Sequence, residues 1–129
     1  MHLTISTMLL DEMEMAAIAS PHAEICGLLL GQGGVVEMIR PSDNVAADRR
    51  DSFEIDPVAL IAAHRAARTG GPALIGHYHS HPRGDATPSV RDAAAAEPGR
   101  YWIIIAPGEL RCWLATADGR FVAVAIASH

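Results

Sequence analysis

The chain has 129 residues, half of them apolar, with a formal charge of −5 and ten basic residues, all arginine. That length suits a single domain over residues 1–129 with its own core, and the acidic balance argues against nucleic acid or an anionic membrane as the main partner. Cys26 and Cys112, the only cysteines, stand too far apart for a disulfide framework or a four-thiolate zinc site.

Residues 3–5 form a short strand candidate, and Ser6 or Thr7 can cap the helix expected over 8–19. That helix carries Leu9, Met13 and Ala16 on one stripe, with Leu10 and Ala17 beside it, and reads as a packing helix. No charged segment leads into an apolar stretch at the N-terminus, and no run reaches membrane-spanning length. A cytoplasmic protein is therefore expected. Pro21 ends the helix. Residues 25–31 and 35–39 read as a hairpin around Gly33-Gly34. Residues 41–51 form a polar loop, either one edge of a substrate groove or a solvated connection. Residues 52–55 read as a short strand. Asp56-Pro57 starts a second helix through residue 68, with Leu60, Ile61 and His64 along one side. Gly70-Gly71-Pro72 stops it.

The apolar run Ala73-Leu74-Ile75-Gly76 reads as a buried strand leading into His77-Tyr78-His79-Ser80-His81-Pro82. Alternate strand residues share a face, so His79 and His81 point the same way. Ser89-Val90-Arg91-Asp92 has the form of a helix capping box with Asp as its acid. Thr87-Pro88 is a rival start, since Pro suits the first helical position. On either reading a helix projects Asp92 from its first turn. A catalytic zinc site commonly takes three His or carboxylate ligands plus water, and His79, His81 and Asp92 supply that set. Alone, His-x-His is a weak signal; the joint spacing with Ser89 and Asp92 strengthens it. His77 shares the face of His79 and could be a further ligand, a group supporting the ligands or a packed strand residue. The alanines that follow Asp92 suit packing against a sheet. Residues 101–105, 110–115 and 121–126 are three more strands, the last two joined by the hairpin signal Asp118-Gly119. Interleaved helices and strands indicate an α/β fold, a mixed sheet flanked by helices.

The phrase His-Ser-His-Pro, followed at this spacing by Ser89 and Asp92, resembles the JAMM motif of the MPN+ zinc metalloproteases. Two further stretches resemble the family: Glu24-Ile25-Cys26-Gly27-Leu28-Leu29-Leu30-Gly31, and Phe53-Glu54-Ile55-Asp56-Pro57. The resemblance covers nearly the whole chain. It implies the MPN domain, which is similar to the cytidine deaminase fold. It also implies one zinc ion held by His79, His81 and Asp92, Glu24 as general base and then acid, and Ser89 as donor to the oxyanion. Position and periodicity do not select Glu24; the resemblance does. Ser80, on the opposite side of the strand, reads as structural. The eukaryotic deubiquitinating members carry insertions that grip ubiquitin, and this compact chain has none. The chain instead resembles small stand-alone bacterial or archaeal members, and that resemblance implies as substrate a ubiquitin-like or sulfur carrier protein ending in Gly-Gly, cut at a peptide or isopeptide bond after that pair. The chain could act alone or as a homodimer.

Three other readings compete. A non-catalytic MPN scaffold predicts a broken ligand set, and every position is present here. A nucleoside deaminase needs His-x-Glu and Pro-Cys-x-x-Cys, and neither occurs. A DNA-associated relative needs a basic stripe, which this acidic chain lacks.

Overall fold

The computed structural model describes residues 1–129 apart from the side chain of Asp118. Seven strands and three helices follow in the order β1 (His2–Ile5), α1 (Thr7–Ile18), β2 (Cys26–Gln32), β3 (Val35–Ser42), α2 (Pro57–Arg68), β4 (Ala73–Ser80), α3 (Val90–Ala95), β5 (Tyr101–Ala106), β6 (Glu109–Ala115) and β7 (Phe121–Ser128). Local chemistry sets their ends. Ser6 caps α1 by accepting from the Leu9 N–H, and Asp56 caps α2 from the Val58 N–H with Pro57 in the first turn. Gly33 and Gly34 both take positive φ, +58° and +93°, as a two-residue hairpin turn of the primed type requires.

The sheet is mixed, as expected, but it closes. Strands run β1-β3-β2-β4-β5-β6-β7, and β7 returns to pair in parallel with β1. The other seam is narrow: β1 meets β3 through Thr4 opposite Val35, with the Thr4 N–H donating to the Gly34 carbonyl at 2.8 Å. Closure removes the exposed strand edges that an open sheet would present.

Alternation divides the apolar residues between two faces of the sheet. Leu29, Tyr78, Ile103 and Ile105 join Leu3, Ile5 and the α1 residue Met13 in the main core. Cys26, Leu28, Leu30 and Leu74 point the other way, against Ala59, Leu60 and Ala63 of α2. Leu9, Leu10, Met13 and Ala17 of α1 and Leu60 of α2 face the sheet as the stripes indicated, joined by Ala63. Ala16 and Ile61 do not; they are exposed, as is His64. Residues 52–55 do not make a strand; Ile55 forms a single bridge with Asn44. Residues 117–119 form a short 3₁₀ turn between β6 and β7. No helix is long and apolar enough to cross a membrane.

Candidate metal centre

The site lies at the C-terminal end of β4. This strand sits between antiparallel β2 and parallel β5, with His79 opposite Cys26 on one side and Ile104 on the other. His79 is wholly buried, and the Phe53 ring stacks on it at 4.2 Å between centroids. His81 follows the strand end and stays tied to the sheet, its N–H donating to the Ile105 carbonyl at 2.8 Å. Asp92 arrives from α3. Ser89 caps that helix in a reciprocal capping box: its Oγ accepts from the Asp92 N–H, and its own N–H donates to Asp92 Oδ2 at 2.9 Å. Of the two helix starts open in the sequence, the structure takes Ser89.

Three electron-pair donors meet at one point. His79 Nε2 lies 3.0 Å from His81 Nε2 and 3.3 Å from Asp92 Oδ2, and His81 Nε2 lies 3.2 Å from the same oxygen. His81 Nδ1 faces the Asp85 carbonyl at 2.8 Å. A ring that donates from Nδ1 keeps an unprotonated Nε2, the form that binds metals. Atoms of this kind repel unless a proton or a cation lies among them. Ligands about 2.0–2.1 Å from a tetrahedral zinc stand roughly 3.3 Å apart, so the triangle fits the ion without rearrangement.

The electrostatics agree. Burial alone would raise the Asp92 carboxyl, but its hydrogen bonds to His79 and His81 hold it well below the usual carboxylate range. Burial drives His79 down, toward the neutral imidazole. Burial also pulls His81 down, yet Asp92 and the Asp85 carbonyl outweigh it and the net shift is upward. His77 packs edge-on against Trp102 at 4.3 Å, and burial, first among its causes, pushes it down to about 3. It lies beside the site as a neutral packing residue.

Glu24 stands just before β2, 6% exposed, with Oε1 bonded to nothing among the described residues. One of its carboxylate oxygens and the ring nitrogens of His79 and His81 lie within 4.8 Å of one another. Burial, the largest cause, pushes its pKa up to about 7; His81 opposes this, and Asp92 and Asp51 add to it. Its backbone is held from both sides. The Glu24 N–H donates to the Arg49 carbonyl, and Asn44 Nδ2 donates to the Glu24 carbonyl at 2.9 Å. Ser80 Oγ, pointing away from the ligand face, accepts the Ile25 N–H at 2.9 Å. Ser80 thus fixes the chain next to Glu24. That is the structural part its place on the opposite side of the strand suggested, whereas Asn44 and the stacking of Phe53 on His79 were not legible, because each acts through a long-range contact that no spacing encodes.

All five candidate residues therefore gather in one place. Glu24, His81 and Ser89 line a cleft of ≈220 Å³ together with Arg50, Asp51, Pro82, Arg83 and Gly84. The loop over 41–51 is one edge of it. Ser89 Oγ accepts one hydrogen bond and retains its own hydrogen to donate into the cleft.

A mixed sheet that carries this donor set at a strand end fits the JAB/MPN class of domain. The chain belongs to the Prok-JAB family, the prokaryotic homologs of the JAB domain, whose family model matches residues 6–116. It is 35% identical over 102 residues to a desampylase of Haloferax volcanii, covering 77% of this chain and 73% of that protein. It is 32% identical over 118 residues to a probable TtuB-protein conjugate cleaving protease of Thermus thermophilus, covering 92% and 78%. A solution structure of a Desulfitobacterium hafniense protein superposes with a TM-score of 0.83 at 28% identity, over 98% of this chain and 92% of that one.

Proposed function

We propose that this chain is a zinc-dependent peptidase that hydrolyses the bond following the C-terminal Gly-Gly of a ubiquitin-like or sulfur carrier protein. The observation that carries the chemistry is the convergence of His79 Nε2, His81 Nε2 and Asp92 Oδ2 to 3.0–3.3 Å beside an unpartnered Glu24. The substrate class follows the relatives, one a desampylase and one a protease of TtuB-protein conjugates. When bound, zinc supplies a Lewis acid that lowers the pKa of a water molecule to about 7.

His79, His81 and Asp92 would hold the ion, the imidazoles neutral and the carboxylate ionised. Glu24 accepts a proton from the attacking water and returns it to the departing amine. Burial raises this carboxyl above its ordinary value and a neighbouring cation lowers it again, which leaves a base strong enough to take the proton and an acid able to return it. Ser89 donates its hydroxyl hydrogen to the oxyanion that develops on the scissile carbonyl.

The test is the intact mass of a Gly-Gly carrier bearing a short C-terminal tail, after incubation with zinc-loaded enzyme, chelated enzyme and Glu24→Gln. The expected result is tail loss immediately after Gly-Gly with the loaded wild type alone. Tail loss that survives both chelation and Glu24→Gln would exclude this mechanism.

A further inference from the structure

We propose that Arg50 and Arg83 select substrates whose leaving group carries a carboxylate within one residue of the scissile bond. This rests on the reading of Glu24 as proton carrier.

The chain as a whole has a formal charge of −5. The cleft nevertheless sets Arg50 and Arg83 beside Glu24, His81 and Ser89. A polar hollow that shares Arg50 and Arg83 adds Arg49 and His22. Asp48 and Asp51 also line this region and Glu24 lines the cleft, so three guanidinium groups share the wall with three carboxyl groups. The wall is therefore balanced in charge, where the molecule as a whole is acidic. Pro82 also borders a separate hollow of different character. There Ser80, Ile18, Ile105 and Leu110 line an apolar space of ≈350 Å³ that also holds Glu14 and Glu109. Those acids would repel a carboxylate, and the arginines would attract one.

The Glu24 N–H donates to the Arg49 carbonyl at 2.6 Å, which ties the chain at the proton carrier to the arginine loop. A group that returns a proton to the departing amine must face that amine, and Arg50 and Arg83 line the same cleft as Glu24. The arginines are free to respond. Arg83 meets Asp51 only at 3.9 Å, with both side chains about two-thirds exposed, and such a pair holds weakly. Among the described residues no acid lies within ion-pair distance of Arg50. Guanidinium groups bind carboxylates through paired hydrogen bonds. At ≈220 Å³ the cleft is smaller than a typical drug-sized pocket and suits a residue rather than a folded surface.

This chemistry separates two kinds of bond. A single terminal residue joined to Gly-Gly through its α-amine brings its own free carboxylate to this wall. A lysine Nε in the middle of a partner protein does not. The reaction remains simple hydrolysis. The Gly C–N bond breaks, the acyl carbon takes a hydroxyl from water, and the amine takes the remaining proton.

Four carriers test the inference with zinc-loaded enzyme: one ending Gly-Gly-Ala as the free acid, its carboxamide, Gly-Gly-Asp carboxamide, and Gly-Gly on the Nε of a lysine in a blocked peptide. The acid is expected to exceed the Ala carboxamide about tenfold in kcat/KM, mainly through KM. If Gly-Gly-Asp carboxamide matches the acid, a side-chain carboxylate serves as well. If it matches the Ala carboxamide, the α-carboxylate is the group recognised. The paired change Arg50→Gln with Arg83→Gln should bring the acid-to-carboxamide ratio to about one. Equal cleavage of acid and carboxamide by the wild type, or a ratio that survives in the variant, overturns this inference alone. A loaded wild type that cuts none of the four overturns the reading of the site, and this inference with it.

Discussion

At the scale of single residues, Glu24 and Ser89 separate chemistry from support. Glu24 is buried with Oε1 unpartnered, and burial pushes its pKa up to about 7. A divalent cation beside it favours the ionised form, so the acid limb of kcat/KM against pH should fall below 7 in the loaded enzyme. Glu24→Gln should remove that limb and cost about 10²–10⁴ in kcat with metal content unchanged. An unchanged limb would mean another group carries the proton. Ser89 does two jobs that one substitution can divide. Ser89→Ala loses the hydroxyl that accepts from the Asp92 N–H, a capping loss of about 0.5–2 kcal/mol. It keeps the backbone N–H that orients Asp92 Oδ2, so zinc stoichiometry should hold. The rate should still fall about 10²–10³-fold if the hydroxyl serves the oxyanion. A rate that tracks only the lost stability would leave Ser89 as a cap and nothing more.

Between elements, the position of β4 decides whether the site assembles, and close backbone approach decides the position of β4. An added Cβ at Gly76 would lie 2.1 Å from the Tyr101 carbonyl oxygen, a backbone atom of β5 that has no room to yield. Gly76→Ala should therefore cost at least the 1–3 kcal/mol typical of overpacking, read from the denaturant midpoint. It should also loosen the parallel pairing of β4 with β5. At this scale the sequence was legible in part. The apolar runs of β2, β4 and β5, the Gly33-Gly34 turn and the caps Ser6, Asp56 and Ser89 are local signals, and each element formed where its signal lay. Closure of the sheet was not legible. It depends on β1 pairing with β7, from opposite ends of the chain, and no periodicity specifies such a partner. Residues 52–55 misled because Phe53 and Ile55 alternate as in a strand. Phe53 instead stacks on His79, and Ile55 joins the α2 core. His79, His81 and Asp92 were legible from residue chemistry and spacing. Glu24 was legible only through family resemblance, since an acid before a strand carries no periodic mark.

For the molecule as a whole, the site couples stability to pH and to metal. The folded, metal-free chain keeps the Glu24 proton to about 7, against an ordinary value of 4.5. Between those values the folded state binds more protons than the unfolded one, so this group's contribution declines as pH rises from 4.5 to about 7. His77 acts in the opposite direction. Burial pushes it down to about 3, so its penalty is greatest in acid and fades as pH rises toward 6.5. The net curve mixes both with His79, His81 and Asp92, and the Glu24 part appears only in a difference. The Tm of Glu24→Gln minus that of the wild type, both metal-free, should grow from pH 4.5 to 7 and then level off. A flat difference would mean that Glu24 is solvated in the folded chain. Zinc should reverse the penalty, because a cation stabilises the ionised carboxylate and binds only the folded arrangement of His79, His81 and Asp92. Saturating zinc should therefore raise Tm more at pH 7.5 than at pH 5, where the imidazoles must give up protons to bind it. Asp92→Ala should lose most of that rise, because it removes one of three converging donors and the acid of the α3 capping box together. If Asp92→Ala keeps the full zinc-dependent rise, Glu24 has taken the third position, its carboxylate already within 4.8 Å of both ring nitrogens. Such a protein would hold metal without its proton carrier, and its turnover should vanish while its stability survives.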